Sequence, residues 1–323
     1  MIELIQPGIR TTIQDMGRTG YFHQGVPPAG AADKFSFMFG NLLLGNPRHV
    51  AALEMMVKGT TIEFNKKTTA IITGAPVQVL LNGDEQPMWT VFEVQKGDVL
   101  EIGHIQKGLF SYLCVSGGFD VPEVLGSKST CLASVFPGIT GRLLLAGDKI
   151  PLSEPLPGAA QHIGKELIRE AIPEFGKTET AHVVLGITCD LIRDEGLVSF
   201  LNSHWVIQPQ SNRTACRAKG GHISYSEIDL PFGSGGTPGN IVDIPYPIGA
   251  VIVPNEEEII ILLNDGTGGG GFVTIGTVIW PDISKLSQMR PMTKVKFQAI
   301  TVDQAISIRR EKERLIEKVQ ASI

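Results

Sequence analysis

The amino-acid sequence predicts a mainly β protein built as sandwiches or barrels. Its apolar segments are short and rich in β-branched residues, and turn residues separate them roughly every 8–12 positions. Glycine makes up 37 of the 323 residues, well above the usual share of about 7%. The 20 prolines add further turns. This alternation of strand and turn favours sandwich or barrel architecture over a βαβ series.

The predicted strands lie in segments that alternate with turn signals. These segments are 69–83, 89–103, 109–119, 250–266 and 293–301. Between them, "LNG" (81–83) and "KGD" (96–98) are typical of hairpin-like turns, because Asn and Gly adopt positive φ at low cost.

Four segments have helical character. The first, 33–47, begins at Asp33, a residue type that caps helix N-termini. The others are 193–205, 281–288 and the terminal 302–323, whose charges are typical of a solvated face. A Pro-rich and then charged stretch, 153–181, reads as a linker. It separates an N-terminal subdomain, 1–152, from a C-terminal subdomain, 182–323, that includes the terminal helix.

Composition excludes several classes of function. The net charge of -5 gives no basic excess for binding nucleic acid. We find no apolar run of membrane-spanning length and no signal peptide, so we expect a cytoplasmic protein without a membrane partner. The cysteines form no CxxC pair and the histidines show no zinc-binding spacing, so we expect reduced thiols and no metal site. The four cysteines are Cys114, Cys131, Cys189 and Cys216.

The first dense polar patch spans residues 7–33. Asp15 and Arg18 fall in a turn that contains Gly17 and Gly20, so we expect their side chains to be displayed rather than packed. An alternative interpretation is an Asp–Arg pair that only fixes a loop. The patch leads into the helix at Asp33, where free backbone N–H groups would suit a carboxylate or phosphate.

The second patch spans residues 208–220. Arg213 and Arg217, flanked by Ser211 and Asn212, would suit the grip of an anion by planar guanidinium groups. Equally, they are compatible with exposed arginines in a strand and loop. Cys216 reads as a buried structural thiol.

The third patch is the run of four glycines, Gly268–Gly271. A phosphate-binding P-loop would need Lys and Ser or Thr after the last glycine, and here Phe272 and Val273 follow. The segment that follows reads as a strand rather than as the helix of a dinucleotide fold. We therefore expect the run to allow close approach of bare backbone to a ligand.

Taken together, these patches resemble one family. The segments "PGIRTTIQDMGRTGY", "GVPPAGAAD", "AALEM" and "YLCVSGGFDVPEVLGSKSTCL" are similar to the second subunit of allophanate hydrolase, as are "PQSNRTACR" and "NDGTGGGGFVTIGTVIWPDISKLSQMRP". That family also includes the C subunit of 5-oxoprolinase (KipA/PxpC type) and the carboxyltransferase domain of urea amidolyase. The resemblance covers nearly the whole chain and implies two cyclophilin-like β-barrel subdomains.

The resemblance also implies partners and reactions. It implies association with a first subunit (KipI/PxpB type) and with a third, lactam-utilisation protein, in a complex that uses ATP to open 5-oxoproline to glutamate. It implies no cofactor bound by this chain itself. The first alternative is transfer of a carboxyl group from biotin to urea or a similar amide. The second is a non-catalytic regulatory subunit that antagonises a kinase-inhibitor partner.

Both chemistries polarise an amide and develop a negatively charged oxygen, which arginine and N–H donors stabilise, while a carboxylate can accept a proton. On the residues that match the family motifs, we expect catalytic roles for Asp15, Arg18 and Arg213. Substrate-binding roles are expected for Gln14, Glu54, Ser211, Asn212, Arg217, Gly270 and Gly271.

The sequence departs from the family pattern in the C-terminal half. Family members usually carry an acid where Asn212 stands, an aromatic where Cys216 stands, and a basic residue where Thr274 stands. Gly268 and Gly269 replace hydroxyl side chains. These departures favour the regulatory alternative.

Overall fold

The short β-branched segments form strands, and the mainly β class is confirmed. The computed structural model describes residues 1–227, 232–234 and 236–323. Contacts divide them into two units: unit 1 comprises 1–19, 29–175 and 313–323, and unit 2 comprises 20–28 and 176–312.

Unit 1 is built from thirteen strands of the described chain. They are β1 Ile2–Gln6, β2 Arg10–Gln14, β3 Ala52–Met56, β4 Thr61–Phe64, β5 Thr68–Gly74, β6 Val79–Leu81, β7 Asp84–Glu85, β8 Phe92–Val94, β9 Val99–Ile102, β10 Phe110–Val115, β11 Thr130–Cys131, β12 Phe136–Pro137 and β13 Lys149–Ile150. Six form a sheet in the order β13-β1-β4-β9-β6-β7, five form a second in the order β2-β3-β10-β5-β8, and β11 pairs with β12. The two larger sheets share one apolar core, to which Ile2 and Phe64 contribute from the first and Leu53 and Leu113 from the second.

Unit 2 contains the closed barrel. Its strands are β14 Thr178–Leu185, β15 Trp205–Ile207, β16 Ala215–Lys219, β17 Asn240–Pro245, β18 Ala250–Asn255, β19 Glu258–Leu262, β20 Gly269–Phe272, β21 Thr274–Val278 and β22 Lys294–Ala299. Seven close a barrel in the order β14-β21-β18-β19-β16-β15-β22, and β17 pairs with β20. Val183, Trp205 and Phe297 lie in its apolar core.

The predicted helices are confirmed, with bounds that differ by a few residues. They are α1 Lys34–Leu43, α2 Asp194–Asn202, α3 Trp280–Ser287 and α4 Val302–Ala321. Asp33 caps α1, because its carboxylate accepts hydrogen bonds from the N–H groups of Phe35 and Ser36. The cap thus satisfies donors that we expected to be free for a ligand. Helix α1 lies on strands β5 and β10, where the Thr73 hydroxyl donates to the carbonyl of Ser36 at 2.8 Å.

The two predicted turns, "LNG" (81–83) and "KGD" (96–98), differ in the strands that they connect. Asn82 and Gly83, both with positive φ, form the tight hairpin between β6 and β7, as predicted. Gly97 also has positive φ, but the strands on either side of it pair in different sheets, β8 with β5 and β9 with β4. The "KGD" turn therefore carries the chain from one sheet to the other.

The units differ from the predicted subdomains in detail. The boundary at residues 175 and 176 falls within the predicted linker, 153–181. Residues 20–28 belong to unit 2, and the last eleven residues, 313–323, belong to unit 1. In unit 1, Lys318 of α4 forms an exposed ion pair with Glu170 at 2.7 Å.

Candidate functional site

The first polar cluster of unit 1 centres on the carboxylate of Asp15, which directly follows β2. Its Oδ1 accepts hydrogen bonds from the Gly17 N–H at 2.7 Å and from the hydroxyls of Ser127 and Ser129 at 2.7 and 2.5 Å. Its Oδ2 accepts from the N–H of Lys128 at 2.6 Å. Four donors thus occupy this carboxylate, and Asp15 fastens the 127–129 segment to the end of β2.

Arg18 lies in the same cluster and is 1% exposed. Its Nε donates to the carbonyl of Val124 at 3.1 Å and its Nη2 to the carbonyl of Ser129. The guanidinium also lies 4.6 Å from the centre of the Phe136 ring, a cation–π distance. The expectation that the turn displays Asp15 and Arg18 is wrong: tertiary contacts with the 124–136 segment bury both side chains.

Gln14, at the end of β2, is fully buried. Its amide NH₂ donates to the hydroxyl of Thr12 at 3.0 Å and to the carbonyl of Thr130 at 2.9 Å. Its side-chain carbonyl oxygen has no hydrogen-bond partner in the described part of the chain. Gln14 therefore has unused hydrogen-bonding capacity next to Asp15. Leaving such a buried acceptor unpaired costs free energy.

Glu54, on β3, belongs to a buried network that the sequence did not suggest. Its Oε2 accepts from the N–H of Ala32 at 2.7 Å and from the hydroxyl of Tyr112 at 2.9 Å, and that hydroxyl accepts from the N–H of Asp33 at 2.8 Å. Burial, reinforced by the charges of Glu54 and Asp33, raises the pKa of Tyr112 far above its ordinary value. The phenol therefore stays protonated, and its hydroxyl fixes the backbone at the start of α1 through the N–H of Asp33.

The backbone joins this network to the Asp15 cluster. The N–H of Ala31 donates to the carbonyl of Asp15 at 2.8 Å. Gly30, at φ +84, packs so closely that a Cβ there would lie 2.8 Å from the backbone of Met16 and Gly17. Only glycine fits where the chain at residue 30 packs against the backbone of residues 16 and 17. The structure thus brings Gln14, Asp15, Arg18 and Glu54 into one region of unit 1.

Arg213 and Asp265 form the corresponding polar centre of unit 2. Nε and Nη2 of Arg213 each donate to one carboxylate oxygen of Asp265, both at 2.9 Å. The two side chains are 4% and 7% exposed, so water screens the pair only weakly. Backbone contacts fix the same residues, since the N–H of Asp265 donates to the carbonyl of Arg213 at 3.1 Å.

The other residues of the second patch shape the loop before β16. The Asn212 side chain accepts from the N–H of Thr214 at 2.7 Å, and the Ser211 hydroxyl accepts from the N–H of Arg217 at 3.0 Å. Arg217 is 41% exposed and pairs with Glu258 at 3.0 Å. Cys216 is buried, as predicted, and burial raises the pKa of its thiol to about 12.

The glycine run forms a strand rather than a loop. Gly269 and Gly270 pair with Pro245 and Ile244 of β17, and the hydroxyl of Tyr246 clamps Phe272 by accepting from its N–H at 2.6 Å and donating to its carbonyl at 2.9 Å. A Cβ at Gly270 would lie 2.7 Å from the Tyr246 ring. Close approach to the Tyr246 ring is therefore a physical reason for glycine at residue 270, and the expected approach to a ligand stays a prediction. This paired strand does not have the form of a phosphate-binding loop.

Sequence reasoning missed several residues that complete these clusters. Ser127, Lys128 and Ser129 lie more than 110 positions from Asp15, so no local spacing connects them. Asp265 was visible in "NDGTGG", three positions before the glycine run, and Tyr112 was visible in "YLCVSGG". Neither motif indicates the partner of its residue.

Two general features of the described residues complete the description. No group of three or more His, Cys, Asp or Glu side chains among them is arranged to hold a metal ion. None of the helices in this part of the chain is long and apolar enough to cross a bilayer.

Comparison with known proteins identifies the family to which the chain belongs. Residues 24–299 match the family described as "Carboxyltransferase domain, subdomain A and B". The chain belongs to this family, and the resemblance seen in its motifs is confirmed.

Individual relatives are of two kinds. The 5-oxoprolinase C subunit of Escherichia coli is 31% identical over 99% of this chain and 97% of its own length. The urea amidolyase of Saccharomyces cerevisiae is also 31% identical over 99% of this chain, but the chain spans only 18% of that protein. The crystal structure of the Kluyveromyces lactis urea carboxylase gives a TM-score of 0.92 at 29% identity, over 98% of this chain and 29% of that one.

Proposed function

We propose that this chain is one subunit of an ATP-dependent amidohydrolase of the 5-oxoprolinase type, which opens the lactam of 5-oxoproline to give glutamate. The observation that carries the proposal is the end-to-end match with the C subunit of 5-oxoprolinase, which covers 97% of that protein. Because this relative is itself one subunit of an enzyme, the match supports a complex of several subunits. In our proposal the others are a first subunit and a lactam-utilisation protein.

In this proposal Arg213 is the catalytic residue of unit 2. Opening a lactam develops negative charge on the carbonyl oxygen, and a fixed guanidinium stabilises that charge most strongly where water is excluded. The bidentate contact with Asp265, at 2.9 Å for both hydrogen bonds, fixes the guanidinium plane in advance. Asp265 is accordingly a positioning residue.

In unit 1 we assign positioning roles to Asp15 and Arg18. The carboxylate of Asp15 is occupied by four donors, which leaves it poorly suited to accept a proton from a substrate. Both side chains hold the 124–130 segment against the end of β2.

The paired strand at Gly269–Phe272 does not offer a phosphate loop, so the proposal places ATP on the other subunits.

The test reconstitutes the complex. The chain is co-expressed with its first subunit and the lactam-utilisation protein, and ATP-dependent release of glutamate from 5-oxoproline is measured. We expect Arg213→Lys, which keeps the charge but loses the fork, to lower kcat by about 10²-fold or more. Arg142→Lys is the matched control, because Arg142 makes the same kind of bidentate contact with Asp148 on the exposed surface. No glutamate from an intact complex, or equal activity of the two variants, contradicts the proposal.

Carboxyl transfer from biotin to an amide is a second candidate. The family description and the fold shared with urea carboxylase favour it. Its test supplies a carboxylated biotin carrier and measures loss of the carboxyl group with and without urea. Urea-dependent loss without glutamate formation from 5-oxoproline would replace the first proposal with this one.

A regulatory subunit is the third candidate. The departures from the family motif at Asn212 and Cys216 support it. If the chain is a regulatory subunit, the complex turns over no substrate. Arg213→Lys then leaves partner binding unchanged. Relief of kinase inhibition by the first subunit, measured with purified proteins, distinguishes it from the two enzymes.

A further inference from the structure

One cavity in unit 2 involves none of the residues assigned above. It has a volume of about 340 Å³ and is lined by His182 and Gln298 of the neighbouring strands β14 and β22, by Ile300, and by the first turns of α4. The residues from α4 are Asp303, Gln304, Ser307 and Ile308. Its size lies at the lower end of the range for small-molecule sites, about 300–1,000 Å³.

A carboxylate orients the imidazole of His182. Nδ1 of His182 lies 2.8 Å from Oδ2 of Asp282, which also accepts from the backbone N–H of His182 at 2.7 Å. In the neutral ring, the nitrogen that faces a carboxylate is the one that donates, so Nε2 is the acceptor left for a ligand. Lys285 lies 3.2 Å from the other oxygen of Asp282 and balances its charge behind the ring.

The remaining polar side chains of the cavity, from Gln298, Asp303, Gln304 and Ser307, are exposed. The carboxylate of Asp303 has no hydrogen-bond or ion-pair partner among the described residues, and the same holds for the side-chain amide of Gln298. The hydroxyl of Ser307 donates to the carbonyl of Asp303 at 3.0 Å, so its oxygen can still accept.

The N-terminus of α4 does not turn this cavity into an anion site. Gln304 and Thr301 form a capping box: Thr301 N–H donates to Gln304 Oε1 at 2.9 Å, and Gln304 N–H donates to Thr301 Oγ1 at 3.3 Å. Asp303 places a negative charge in the first turn, and the described residues that line the cavity include neither Lys nor Arg. An anion would therefore meet a carboxylate without a balancing cation.

We propose that this cavity binds a primary alkylammonium cation. The ammonium group supplies three N–H donors to the acceptors provided by Asp303, His182 Nε2 and Gln298, and the alkyl chain lies against Ile300 and Ile308. Free amino acids bind poorly, because their carboxylate finds no partner. The site is independent of the proposed lactam chemistry.

The test is a titration of the full chain followed by NMR of the histidine ring signals, with the His182 signal assigned from a His182→Gln variant. n-Butylammonium is expected to shift the His182 signal with a Kd in the millimolar range that rises with salt, because Asp303 is exposed. Butyrate, butyramide and glutamate are expected to leave it in place.

Asp303→Asn is expected to raise the Kd for n-butylammonium at least about fivefold, in line with the loss of one charge-assisted contact. Glu311→Gln is the matched control, since it removes one exposed charge from the same helix and is expected to leave the Kd unchanged. Far-UV circular dichroism checks that both variants fold. The proposal is overturned if butylammonium gives no shift, if butyramide, butyrate or glutamate binds equally well, or if the two variants behave alike.

Discussion

The buried pair of Arg213 and Asp265 allows a sharp prediction about stability. Asp265→Asn keeps the size of the side chain and removes its charge, which leaves a guanidinium that is only 4% exposed without its carboxylate. Breaking a buried pair in this way typically costs about 3–5 kcal/mol. Because the amide oxygen still accepts one hydrogen bond, we expect the lower end, about 3 kcal/mol.

Urea unfolding followed by tryptophan fluorescence measures this cost within unit 2. The chain has three tryptophans, and Trp89 lies in unit 1 while Trp205 and Trp280 lie in unit 2. In a Trp89→Phe background the signal therefore reports on unit 2 alone. With a slope of about 1–3 kcal/mol per M, a loss of about 3 kcal/mol should lower the midpoint by about 1–3 M.

A double-mutant cycle separates the pair from other causes. Arg213→Met in the Asp265→Asn background removes the buried charge that has lost the Asp265 carboxylate, so we expect it to recover at least about 2 kcal/mol. Glu258→Gln is the control, because Glu258 pairs with the 41% exposed Arg217 in the same unit, and we expect a loss below about 1 kcal/mol. A coupling below about 0.5 kcal/mol for the buried pair would refute the reasoning.

Three further predictions follow from other features. Gly270→Ala should destabilise unit 2 by about 1–3 kcal/mol, measured by the same unfolding assay, because its Cβ would lie 2.7 Å from the Tyr246 ring. Native Cys216 should resist alkylation by iodoacetamide at pH 8, read by peptide mass spectrometry, because burial raises its thiol pKa to about 12. The hydrogen bond from Arg142 lowers the pKa of Asp148, so Arg142→Gln should destabilise the protein at pH 7 and have no effect well below that pKa.

The sign of the last prediction follows from linkage. A carboxyl whose folded pKa is depressed stabilises the fold above its unfolded pKa, about 3.9, and loses that contribution as the pH falls through the folded value. An equal effect of Arg142→Gln at pH 7 and at about pH 2 would contradict it.

Controls for the other two variants come from the same chain. Among the described residues, no atom lies within 4 Å of the Cβ that Gly236→Ala adds, so stability should not change. Cys189 is partly exposed and should react before Cys216, although burial also raises its thiol pKa. Equal loss in both glycine variants, or earlier reaction of Cys216, would overturn the corresponding argument.

Much of the fold was predictable, because it depends on local patterns. Alternating burial along β22 shows as alternating side-chain types, and the cap at Asp33 and the turn at Asn82-Gly83 show as single residues. The "KGD" turn was harder to place: its glycine fixes a local φ, whereas the pairing of the flanking strands depends on distant partners.

The candidate site was predictable only in part. Gln14, Asp15, Arg18 and Glu54, which the motifs suggested, lie in one polar region, and their functional roles stay predictions. Their exposure was not predictable, because it depends on serines more than 110 positions away that bury the turn.

By itself, therefore, the sequence determined the β class, the helix positions and the family. Tertiary structure decided that Arg213 faces Asp265, that Asp15 anchors a loop, and that the glycines form a paired strand. The physical reason is that backbone propensity and capping act over a few residues, whereas burial and ion pairing depend on groups that folding brings together from distant parts of the chain.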